Sequence, residues 1–137
     1  MEIKLVYEGF GAAFKATNKA GHELTIDGSP ALGGEEKGPR PMEMVLFGLA
    51  GCAAMDVLHI LRKGRKELKH GVIIAHGERA EATPAVFRRV HLSFELGGDD
   101  LTERQAQRAI ELSLERYCSV ARMLAPHVEI TSTLRLI

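Results

Sequence analysis

From Pro41 to Leu61 the chain reads PMEMVLFGLAGCAAMDVLHIL, a helix-compatible run that is apolar on nearly every side. One sheet covers only one face of such a helix, so a second surface must bury the rest. A twofold-related copy of the chain is the simplest source of it. The run is long enough to raise a membrane span, but Pro41 opens it and Glu43, Asp56 and His59 interrupt it. A buried helix of a soluble protein is therefore expected, without a membrane partner. Gly48 and Gly51 thin one surface of this helix. Each costs about 1 kcal/mol of helix propensity relative to alanine, which close approach of a neighbouring backbone offsets.

The flanking patterns set the remaining elements. Glu2 to Glu8 alternates, with Ile3, Leu5 and Tyr7 on one face, and Ala12 to Thr17 and His22 to Asp27 are short partner strands around a turn at Asn18-Lys19-Ala20-Gly21. The stretch from Gly28 to Pro39 is rich in glycine and proline and reads as a solvated loop. The long helix extends from Pro41 to about Lys63, with Gly64 as its C-cap. His70 to Ala82 and Phe87 to Leu96 are longer strands, the second burying Val90, Leu92, Phe94 and Leu96. Thr102 and Gln105 form a capping-box pattern opening an amphipathic helix to about Tyr117. Ser119 to Leu124 is a short helix and His127 to Ile137 a closing strand. The 137 residues thus make a single α+β domain.

Charge excludes several partners. Eighteen basic residues balance 18 acidic ones, so the overall field recruits neither nucleic acid nor anionic lipid. The basic cluster Arg62, Lys63, Arg65, Lys66 and Lys69 sits where a helix C-terminus favours cations anyway. The opening residues lack a signal-peptide pattern, so a cytoplasmic location is expected. A permanent disulfide is unusual there and a transient one is not.

The chain carries two cysteines, Cys52 within the apolar helix and Cys118 before the short helix. No CxxC or histidine-rich spacing accompanies them, so no structural zinc site and no other metal or cofactor is expected. Packed as small hydrophobes, both would be inert. Cys52, Asp56 and His59 share a helix face, but Cys52 and His59 lie about 10 Å apart along the axis. Asp56 and His59 therefore read as a local polar pair.

With PMEMVLFGLAGC ending at Cys52, YCSVA around Cys118 and this order of elements, the chain resembles the OsmC/Ohr family over essentially its whole length. The resemblance implies antiparallel sheets wrapped around two long central helices in an intertwined homodimer. It also implies reduction of organic hydroperoxides, and of hydrogen peroxide, with recycling by an external dithiol. By that carry-over Cys52 is the peroxidatic thiol, Cys118 resolves its sulfenic acid as a disulfide, and Glu43 matches the activating glutamate, one place further along. Family members that reduce hydroperoxides also carry an arginine in the N-terminal strands, whereas residues 1 to 39 contain none and Arg40 is the nearest. Along one straight helix Arg40 lies about 18 Å and Glu43 about 13 Å from Cys52, so an activating charge has to cross from the partner subunit or a kink. The alternatives are a non-enzymatic dimer binding a small apolar ligand, a slow redox sensor, and another thiol chemistry on a thioester or disulfide.

Overall fold

The computed structural model describes residues 1–137. The chain forms two compact units, Met1–Val45 and Leu46–Ile137.

In the first unit β1 (Ile3–Tyr7), β2 (Phe14–Asn18) and β3 (Glu23–Ile26) form the expected antiparallel meander. Gly21, at a left-handed φ of 87°, closes the β2–β3 turn, and its N–H reaches the Asn18 carbonyl at 3.0 Å. Although β1 alternates in sequence, all five of its residues are exposed within the chain. Its apolar side chains Ile3, Leu5 and Tyr7 are only partly covered there.

The segment after β3 differs from the plain solvated loop its composition suggests. Pro30–Leu32 make a 3₁₀ turn, and the chain folds around the carboxylate of Asp27, which is 2% exposed. That carboxylate accepts N–H bonds from Gly28 (2.7 Å), Glu35 (2.9 Å) and Lys37 (3.1 Å). Bonds from Glu35 and then Lys37 are the main reasons its pKa is lowered. A lowered folded pKa stabilises the loop at pH values above the ordinary aspartate range near 4, and this contribution is lost as pH falls through the folded value. Protection of the Glu35 and Lys37 amides against exchange should therefore be high at pH 5 and be lost only as pH falls through the lowered Asp27 value. Asp27→Asn should show low protection already at pH 5, and equal protection in the variant and the wild type there would refute the anchor.

α1 (Pro41–Lys63) has the expected extent. Glu43 caps its start by accepting the Arg40 N–H at 2.8 Å. At its other end the Lys66 N–H bonds the Leu61 carbonyl at 2.9 Å, and Arg65, rather than Gly64, takes the left-handed conformation with φ 58°.

In the second unit β4 (His70–Arg79) pairs antiparallel with β5 (Phe87–Gly97), and β6 (Glu129–Leu136) lies on the other side of β5. One pairing differs from the antiparallel sheets that the resemblance implies, because β6 runs parallel to β5. The chain leaves β5 at Gly97 and returns only after α2 (Glu103–Leu112) and α3 (Ser119–Leu124), the kind of long helical crossover that parallel pairing needs. Val90, Leu92, Phe94 and Leu96 on β5 are each at most 1% exposed. Ala106, Ala109 and Ile110 of α2 and Leu49, Ala53, Val57 and Leu61 of α1 are buried as well. The capping box forms as read: the Thr102 hydroxyl accepts the Gln105 N–H, and the Gln105 side chain accepts the Thr102 N–H.

The buried residues of α1 recur every fourth position, one stripe on a helix apolar all round. Phe47 and Met55 lie outside that stripe at 64% and 65% exposure, and a Cβ at Gly48 or Gly51 would meet nothing within 4 Å.

Candidate functional site

The helical path reaches Tyr117 as expected, but its last turn is not α-helical. After α2 the backbone widens into a π-helical turn, Ser113–Tyr117, closed by the Cys118 N–H on the Ser113 carbonyl at 2.8 Å. Such turns insert one residue into a helical path and so redirect the side chains that follow. Here the turn delivers Cys118 to the N-cap of α3, where its sulfur accepts the Ala121 N–H at 3.4 Å. Cys118 is 2% exposed.

Two sulfurs and a carboxylate converge at this point. The Sγ atoms of Cys52 and Cys118 and a carboxylate oxygen of Asp56 all lie within 4.8 Å of one another. Both cysteines are free thiols, and Cys52 is half-buried where Cys118 is buried. The Ser113 hydroxyl, fully buried, sits 3.3 Å from Asp56 Oδ2 and 3.4 Å from the Ala53 carbonyl, so its single proton is shared between them. Ser113 thereby ties the turn before Cys118 to the helix that carries Cys52. Asp56 takes part in no ion pair.

Burial pushes the Cys118 thiol from 9.0 up to about 11. The Ala121 N–H works against this shift and the neighbouring Cys52 sulfur adds to it, while no cation contributes. At neutral pH Cys118 therefore keeps its proton.

Of the residues singled out in the sequence, Cys52 and Cys118 are brought together. Glu43 stands at the start of α1 with its carboxylate on the Arg40 N–H, and Arg40 is exposed. The pairing of Asp56 with His59 does not form: His59 is exposed, and Asp56 turns to the sulfurs and Ser113. The helical i, i+4 spacing of Cys52 and Asp56 was the available signal for this placement. For Ser113 the only signal was its place on the apolar face of the amphipathic helix.

Residues 34–133 match the family model described as OsmC-like protein. Protein YhfA of Escherichia coli K12 is 40% identical over 121 residues, 88% of this chain and 87% of that protein. The crystal structure of a hypothetical protein from Aquifex aeolicus shares 30% identity and superposes with a TM-score of 0.80, covering 99% of this chain and 96% of that one. An organic hydroperoxide resistance protein OsmC from Legionella pneumophila shares the fold at 15% identity, with a TM-score of 0.71 and coverage of 97% and 94%. On the matched region, the extent of the likeness and the common architecture, the chain belongs to the OsmC-like family.

Proposed function

We propose that the protein is a thiol-dependent peroxidase acting on organic hydroperoxides and, more weakly, on hydrogen peroxide. The observation that carries this reading is the convergence of the Cys52 and Cys118 sulfurs within 4.8 Å, with the proton held on Cys118. Hydroperoxide resistance proteins of the same fold, from Legionella pneumophila and Bacillus subtilis, support the substrate class.

The Cys52 thiolate attacks the terminal peroxide oxygen; an S–O bond forms, the O–O bond breaks, and the alkoxide leaves as the alcohol once protonated. Cys118 then attacks the sulfenic sulfur, an S–S bond of about 2.05 Å forms, and water departs with the thiol proton. An external dithiol returns the disulfide to two thiols. Each cycle therefore converts one hydroperoxide to one alcohol and one water. Glu43 takes part as a positioning residue that caps the helix bearing Cys52.

The same reading makes the active form a cytoplasmic homodimer. Family members are generally dimeric, and the α1 surface around Phe47, Gly48, Gly51 and Met55 is open to a second copy. A partner subunit is also the route by which a cation reaches Cys52. A slow redox sensor is the second reading, favoured by the Asp56 carboxylate, whose charge opposes a thiolate beside it.

Cumene hydroperoxide consumption in the presence of dithiothreitol tests the proposal. Cys52→Ser should reduce it to the rate of the reductant alone, and turnover at the wild-type rate in that variant would refute it. A wild-type protein that forms the Cys52–Cys118 disulfide but turns over no faster than the reductant alone would establish the sensor instead.

A further inference from the structure

The three donors Cys52, Asp56 and Cys118 have no positive partner within the chain. Asp56 makes no ion pair, and its hydrogen bond is to the neutral Ser113 hydroxyl. A carboxylate packed against two sulfurs is a cluster of electron donors that repel one another once a thiol ionises. A cation among them turns that repulsion into attraction.

We propose that Cys52, Asp56 and Cys118 form a binding site for a thiophilic divalent cation of the zinc class. The donor types are those zinc takes: two thiolates at about 2.3 Å and a carboxylate oxygen at about 2.0–2.2 Å. Two sulfurs on one zinc stand roughly 3.8 Å apart across a tetrahedral edge, so donors already within 4.8 Å close by about 1 Å or less. Cys52 and Asp56 come from successive turns of α1, the i, i+4 arrangement by which one helix offers two ligands to one ion. Cys118 comes from a separate element, the N-cap of α3, so the set exists only in the folded chain. Ser113 fixes the carboxylate, as an outer partner of a metal ligand does. Three protein donors leave the fourth tetrahedral position to water or an external thiol.

The ion and the peroxide then compete for the same sulfurs. Zinc displaces both thiol protons and holds the thiolates apart from each other, so no disulfide forms while it is bound. The cation site stands on the donor geometry, and only this competition rests on the peroxidase reading.

Reduced full-length protein equilibrated with zinc chloride and passed through a desalting column should retain one zinc per chain. Cobalt(II) should give thiolate-to-metal charge-transfer absorption in the near ultraviolet, a readout that needs no variant. A chelator competition should find Cys118→Ser weakened by more than about 100-fold and Asp56→Ala by about 10–100-fold, at or above the loss usual for an outer partner. His59→Ala, exposed on the same helix, should bind like the wild type. No zinc retained and no charge-transfer band, or wild-type affinity in Asp56→Ala, would overturn the three-donor site. Zinc bound stoichiometrically by a protein that consumes no peroxide would support the cation site while sinking the peroxidase reading.

Discussion

At pH 8 the thiol of Cys118 should react with iodoacetamide about 100-fold more slowly than an ordinary cysteine, because thiolate is the reactive form. A thiol moved from 9.0 to about 11 is ionised about 100-fold less at that pH, and its burial hinders the reagent further. The rate should climb about tenfold per pH unit and level off only near pH 11. Mass spectrometry of the two cysteine peptides reads this directly, and labelling of Cys118 at the ordinary rate would remove the reason for assigning it the resolving role. The same shift acts on stability. Its folded pKa is raised, so the contribution is fully present below the unfolded value near pH 9 and is lost as pH rises through about 11. Alkaline unfolding should accordingly be less steep in Cys118→Ser. On the proposed cycle that variant has no thiol to capture a Cys52 sulfenic acid under excess hydroperoxide, and Cys52 should advance to the sulfinic acid.

Phe94→Ala should cost about 3–5 kcal/mol, the largest loss expected from a single core truncation here. Phe94 is 1% exposed in the middle of β5, opposite Ile73 on β4 and Leu134 on β6. Removing its ring takes cover from all three strands of that sheet at once, and a cavity this central cannot collapse without moving the strands. Domains of this size hold about 5–15 kcal/mol in total, so the variant should unfold at markedly lower urea with an unchanged slope. A loss below about 1 kcal/mol would mean that β5 is not the central strand of the unit.

How far the sequence could be read follows from the range of each interaction. The capping box at Thr102 and the turn at Gly21 are legible because their partners lie within a few residues, and β5 is legible because its period of two marks one buried face. The extent of α1 was legible as well, from Pro41 at one end and Gly64 just beyond the other. The π-helical turn was not, since five-residue spacing leaves no periodic mark that distinguishes it from a continuing helix. The parallel placement of β6 is a property of the crossover rather than of the strand, whose alternation fits either direction. The Asp27 loop looked unstructured because its order comes from one carboxylate serving residues eight and ten positions away.

The residues alone established the α+β class, the long apolar helix, and the two cysteines in their contexts, because periodicity and composition act along the chain. Only the folded chain decided that the sulfurs meet, that Asp56 joins them instead of His59, and that burial raises the Cys118 thiol. These depend on distances between elements far apart in sequence and on exclusion of water. Neither quantity exists until the chain has packed.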